Sequence, residues 1–97
     1  MKGFVYIITN KNNSVLYTGV TSDLTERLVQ HKLKKHPTSF SAKYNLYKLV
    51  YFERFDTTGE AIIKEKKIEG GSRKKKLDMI NSTNPQWNDL SSSLDGL

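Results

Sequence analysis

Five side chains carry the chemistry this sequence offers: Tyr6, Tyr17, Arg27, His31 and Glu65. Tyr6 and Tyr17 sit in two short runs, residues 4–8 (FVYII) and 15–20 (VLYTGV), whose β-branched and aromatic residues favour strands. The Asn-rich break between them suits a hairpin turn. Side chains alternate faces along a strand, so the turn decides which residues oppose each other. A two-residue loop at Lys11-Asn12 sets Tyr6 directly against Tyr17. A loop at Asn12-Asn13 shifts the partner by two and still keeps both tyrosines on one face. Either way, two phenol hydroxyls emerge side by side. The helix that follows is capped by Ser22 or Asp23, carries Glu26 in its first turn, and has Leu24 and Leu28 as its inward stripe. At roughly 100° per residue, Arg27 lies roughly 60° and His31 roughly 20° from Leu24. An arginine beside the apolar stripe is aimed at the body of the protein, and the four side chains converge on one patch.

Glu65 falls inside the apolar stripe of a later helix. Ala61 lies roughly 40° to one side of it, Ile62 roughly 60° to the other and Ile68 roughly 60° away. A buried carboxylate is costly unless it is paired or bound to a metal. An ion pair, with Arg27 as candidate partner, and a metal ligand both remain open on the residues alone. A lone carboxylate suits Mg²⁺, which keeps most of its waters, and no His/Cys cluster argues for a transition metal. Arg73-Lys74-Lys75-Lys76 places cations where the helix dipole prefers anions. With the free N–H groups of that first turn they make a phosphate-binding end, and a solvated charge run is the competing reading.

The elements that must position these groups follow from local signals. Residues 36–45 (HPTSFSAKYN) read as loop, with Pro37 blocking helix continuation. Residues 46–55 (LYKLVYFERF) read as a third strand, apolar on both faces as a central strand would be. Thr57 and Glu60 form a capping box opening a helix over 58–69, which Gly70-Gly71 ends. Ser72 caps a further helix over 73–81, with Leu77 and Ile80 inward. The order β-β-α-β-α-α implies a small α+β fold, a three-stranded antiparallel sheet flanked by helices. Residues 1–82 form this domain; residues 83–97 read as an Asn/Ser-rich tail, partly packed or disordered, whose Trp87 and Leu90 can fold back.

Ninety-seven residues suffice for one compact domain with a modest core. There is no cysteine, so disulfides and Cys-based zinc sites are excluded. The opening apolar run of five residues is too short for a signal peptide or a membrane span, and a cytoplasmic protein is the expectation. Sixteen Lys and Arg against ten Asp and Glu give a net charge of +6, which favours polyanionic partners. The cations bunch at Lys32–Lys35, Lys64–Lys67 and Arg73–Lys76.

Phe4-Val5-Tyr6, then Tyr17-Thr18-Gly19, then Arg27, resembles the GIY-YIG nuclease family. That family includes intron homing endonucleases, some restriction enzymes and the incision subunit of bacterial excision repair. The likeness is closest to its small stand-alone bacterial members and covers nearly the whole chain. Arg27-Leu-Val-Gln-His31, Phe40-Ser-Ala-Lys43-Tyr44, Leu49-Val-Tyr-Phe-Glu53, Glu65-Lys-Lys-Ile68 and Asn84-Pro-Gln-Trp87 follow in the family's order.

The resemblance implies an endonuclease that hydrolyses DNA phosphodiesters with one Mg²⁺ or Mn²⁺ ion held by Glu65. Tyr6 is then the general base, with Arg27 lowering its pKa and bracing the phosphate. His31 takes the proton or hydrogen-bonds the phenolate, and Tyr17 orients the water. Gly19 and Asn84 support the site, and Lys43 and Tyr44 fall where the family carries a residue near the substrate phosphate, an ordinary solvated lysine and a packing tyrosine being the competing reading. The partner is nucleic acid, DNA favoured over RNA and chosen by structure rather than sequence; a protein partner stays open, and a membrane is not expected. A non-cleaving nucleic-acid-binding module and an interaction protein with a vestigial site are the alternatives. The chain departs from the family at Glu69 and Gly71, where small relatives usually carry Lys and Trp. An acidic residue there weakens any basic surface beside the glutamate helix.

Overall fold

The computed structural model describes residues 1–33 and 39–94. Strands β1 (Gly3–Thr9), β2 (Leu16–Thr21) and β3 (Lys48–Phe55) form an antiparallel sheet in the order β2-β1-β3. Helices α1 (Leu24–Lys32), α2 (Phe40–Lys43), α3 (Thr58–Glu69) and α4 (Arg73–Thr83) surround it, and a 3-10 helix (Leu90–Leu94) follows. This is the expected three-stranded α+β arrangement, with a one-turn helix inserted before β3. The loop expected over 36–45 thus contains α2, opened by Ser39, whose hydroxyl accepts from the Ala42 amide. Pro37 and the Lys34-Lys35 part of the first basic cluster lie outside the described residues.

β1, not β3, is the central strand, and all seven of its residues are buried. The apolar pattern of β3 reports cover on both faces, which an edge strand also receives when helices pack over it. Phe4, Tyr6 and Ile8 point to one face, packed with Leu24 and Leu28 of α1 and with Leu46, Leu49 and Leu94. Val5 and Ile7 point to the other, where Ala61 and Ile68 of α3 and Ile80 of α4 cover them. The α3 helix packs closely here because Gly3 has no side chain; a Cβ would lie 2.8 Å from Thr58 Cα.

The hairpin closes in the second of the two registers, Tyr6 opposite Gly19 and Ile8 opposite Tyr17. Asn10 organises the turn: its Oδ1 accepts from the Ser14 and Val15 amides at 2.8 and 3.1 Å. Asp23 rather than Ser22 caps α1, accepting from the Glu26 amide. Thr57 and Ser72 cap α3 and α4 as expected. Residues 83–94 of the tail pack back onto the body. Leu94 is buried in the tyrosine-face core, Trp87 packs beside Ile80 and Val50, and Trp87 Nε1 donates to Asn81 Oδ1 at 2.7 Å.

Candidate active site

The site begins at Gly19. A Cβ there would lie 2.5 Å from both Cζ and Oη of Tyr6, so the Tyr6 ring crosses β2 through space that only glycine leaves free. The Tyr6 hydroxyl ends 3.0 Å from His31 Nε2. His31 Nδ1 lies 2.8 Å from Ser41 Oγ, and Ser41 Oγ lies 3.3 Å from Ser39 Oγ. A hydrogen-bonded chain thus runs from β1 through α1 to α2. Tyr17 flanks it, its ring centre 6.4 Å from that of Tyr6 and 6.1 Å from that of His31.

A cleft of about 270 Å³ opens above this chain, lined by Tyr17, Arg27, Gln30, His31, Phe40 and Ser41 among others. Arg27 is half-buried and has no salt bridge among the described residues. A half-buried cation without an acidic neighbour is a natural anion seat. Tyr6, Tyr17, Arg27 and His31 therefore come together as their spacing implies.

One expectation fails. Tyr6 is fully buried, so the two phenols do not emerge side by side; Tyr17 lines the cleft and Tyr6 lies beneath it. Burial pushes the Tyr6 phenol well above its ordinary 10.0, and the neighbouring Tyr17 adds to this. Arg27 pulls the other way, as anticipated, and burial outweighs it. Tyr6 is linked to the cleft through His31 and Arg27, both of which line it.

Glu65 is half-buried on α3 and does not line the cleft. It makes no ion pair among the described residues, so a structural pair with Arg27 is absent. The first turn of α3 sits on Gly3, and its last residue, Glu69, lines a second cavity of about 280 Å³ with Leu16, Tyr17, Thr18, Phe40 and Lys76. The helix therefore runs along β2 from the Thr21 end toward the Leu16 end. Glu65 lies one turn before Glu69 on this helix, which packs on the Val5 and Val20 face of the sheet, opposite the face of Tyr6. Among the described residues no three His, Asp or Glu side chains cluster as a metal cage. An unpaired, half-buried carboxylate still fits a hard divalent cation that takes the rest of its shell from water and phosphate.

The basic cluster is less free than its sequence implies. Arg73 Nη2 donates to the Ser14 carbonyl at 3.1 Å, Lys74 pairs with Asp78 at 3.0 Å, and Lys76 pairs with Glu69 at 2.7 Å. Lys75 stays exposed, facing a groove it shares with Lys64 and Lys67. Lys76 holds the Glu69 carboxyl below the usual carboxylate range, against the opposing effect of burial; the Thr18 hydroxyl helps from just beyond hydrogen-bond geometry. Glu69 therefore neutralises a lysine at the rim of the second cavity.

Lys43 is exposed, its Nζ 5.5 Å from the Tyr44 ring centre. Asn84 is buried, and its amide nitrogen donates to the Val50 and Asn88 carbonyls. Val50 is the extra residue of a bulge in β3, so Asn84 braces that strand and the tail without touching the cleft. Ser41 and the ring of Phe40 are the contributions the residue-by-residue reading missed. The capping serine at Ser39 was the only local sign that this stretch turns back under His31.

Among the described residues no helix is long and apolar enough to cross a membrane. The chain is 40% identical over 83 residues to a UPF0213 protein of Staphylococcus saprophyticus, spanning 81% of this chain and 94% of that one. A UPF0213 protein of Syntrophus aciditrophicus is 32% identical over 85 residues, 88% of this chain and 95% of the relative. The solution NMR structure of a UPF0213 protein from Bacillus halodurans matches the fold over 100% of both chains, with a TM-score of 0.58 and 26% identity. Residues 2–78, which contain the tyrosines, Arg27, His31 and Glu65, match the GIY-YIG catalytic domain, and the chain belongs to that family of nucleases.

Proposed function

We propose that the protein is a metal-dependent endonuclease that hydrolyses phosphodiester bonds in DNA, selecting by structure rather than sequence and acting in the cytoplasm. The observation that carries this reading is the chain Tyr6–His31–Ser41 beneath a cleft walled by Arg27, which forms no salt bridge among the described residues. A buried phenol is a poor phenolate, so Tyr6 works as a base only if it passes its own proton on as it takes one. With the His31 proton on Nδ1 and donated to Ser41 Oγ, Nε2 accepts the Tyr6 proton. The attacking water gives its proton to Tyr6 Oη, and an imidazolium bonded to Ser41 results. Arg27 stabilises the charge that builds on the pentacoordinate phosphate, and Tyr17 orients the incoming water. Glu65 would hold the Mg²⁺ or Mn²⁺ ion, whose chemistry there would be Lewis-acid stabilisation of the leaving 3′-oxygen. Nicking of a plasmid with Mg²⁺ that stops on adding EDTA is the expected result.

The complete burial of Tyr6 favours a second reading, a module of the same fold that binds nucleic acid without cutting it. Salt-sensitive binding, with no cleavage of duplex, flap, junction or single-stranded DNA at any metal concentration, would establish that reading and remove the first.

A further inference from the structure

A strip of aromatic rings leads out of the cleft. Tyr17, in the cleft wall, has its ring centre 6.2 Å from that of Phe40, with the planes 30° apart. Phe40 in turn lies 4.8 Å from Tyr44. Phe40 is 47% exposed and Tyr44 41%, so both rings stand partly in solvent. The strip is held firmly. The opposite side of α2 buries Ser41 and Ala42, the Leu46 amide donates to the Ser41 carbonyl at 2.8 Å, and Leu46 itself is buried. Phe40 and Tyr44 are one helical turn apart, so an anchored turn presents both rings to solvent on one side.

Cations stand at both ends: Arg27 in the cleft and Lys43 over Tyr44. Among the described residues no carboxylate lines the cleft, and the chain carries a net charge of +6. Exposed rings in series between cations are what a single nucleic-acid strand uses, its bases stacking while its phosphates follow the charge. A duplex keeps its bases stacked on each other and cannot use such a strip. An apolar protein segment would bring no charge to meet Arg27 and Lys43.

We infer that Phe40 and Tyr44 form a stacking platform for an unpaired base beside the phosphate at Arg27, and that the substrate class is single-stranded or flapped nucleic acid rather than continuous duplex. This rests on the nuclease reading for the word substrate, but the platform is testable without cleavage. Anisotropy of labelled oligonucleotides in EDTA compares one sequence as single strand, flap and blunt duplex, with 2-aminopurine placed along the strand. The wild type should bind the single strand and flap more tightly than the duplex and quench 2-aminopurine at one position. Phe40→Ala and Tyr44→Ala should each weaken single-strand binding by about 5- to 100-fold and relieve the quench, leaving duplex binding unchanged. Phe40→Trp should restore both. Two variants, each checked by circular dichroism, guard against a folding defect in either. Equal losses on duplex and single strand, or no loss on either, would overturn the platform whatever the protein cuts. Intact stacking with no cleavage under any metal would instead leave the platform standing and defeat the nuclease reading.

Discussion

Gly19 and Tyr6 face each other across the β1–β2 ladder, and the space a Gly19 Cβ would fill is occupied by Tyr6 Cζ and Oη, each 2.5 Å from that point. The hydroxyl reaches His31 only because this position is bare. Gly19→Ala should therefore displace the hydroxyl, costing roughly 1–3 kcal/mol of stability through overpacking. Cleavage should drop by as much as in Tyr6→Phe. A Gly19→Ala protein that nicks DNA at the wild-type rate would show that the Tyr6–His31 bond is dispensable.

Tyr6→Phe keeps the ring and removes the hydroxyl from the chain to His31. The rate should fall by the ~10²–10⁴-fold typical of losing a general base, with metal and nucleic-acid binding retained. Single-turnover nicking beside a binding titration checks this, and a fall in binding that matches the fall in rate would contradict it.

The buried phenol also has a pH signature. The Tyr6 pKa is raised above its ordinary 10.0, so the folded protein holds that proton more tightly than the unfolded chain does. The stability it contributes is whole below pH 10 and is lost as the pH climbs toward the folded value. Burial and the hydrogen bond to Glu53 raise Tyr51 as well, so two tyrosines act in the same direction. Denaturant midpoints measured from pH 9 upward should fall in the wild type, and less steeply in Tyr6→Phe. Parallel curves would show that Tyr6 ionises freely.

Among the described residues Glu65 has no ion-pair partner to abandon, so Glu65→Gln should change stability by less than about 1 kcal/mol. If it holds the metal, cleavage should collapse, and the Mg²⁺-dependent rise in wild-type Tm should vanish. Wild-type melting that ignores Mg²⁺, together with an active Glu65→Gln, would remove the metal from this position.

Lys76 is held by Glu69 at 2.7 Å beside the second cavity. Glu69→Gln should release it, tightening nucleic-acid binding and steepening the log–log salt dependence by roughly one unit. Lys74 is already paired with Asp78 one turn on along the same face of α4, so Lys74→Gln should alter the slope less. An unchanged slope in Glu69→Gln would mean that no phosphate approaches this rim.

Asn84→Ala should cost roughly 1–3 kcal/mol, because the buried Val50 carbonyl loses its partner. Cleavage measured well below the melting temperature should stay near wild type. A large rate loss there would tie the β3 bulge to the cleft.

What the sequence determined by itself is what repeats locally along the chain. Strand alternation puts Tyr6 and Tyr17 on one face under either hairpin closure, and helix periodicity turns Arg27 and His31 toward them. Thr57 and Ser72 mark where α3 and α4 begin, because a cap is a contact between residues three apart. Tertiary structure decided everything that depends on which distant segment covers a group. Tyr6 is buried because β2, α1 and the stretch around Ser41 close over it, and that cover raises the pKa that Arg27 alone would have lowered. Ser41 meets His31 only because α2 folds back beneath α1, a contact spanning ten residues and invisible to any local period. β3 took the edge although its apolar pattern resembles that of a central strand, since covering helices bury both faces of an edge strand too. Two of the cations at 73–76 are spent on partners that only the docking of α4 supplies, Arg73 on Ser14 in the β1–β2 turn and Lys76 on Glu69 at the end of α3. Backbone geometry sets a side chain's direction residue by residue, whereas its solvation and partners are set by the whole fold at once.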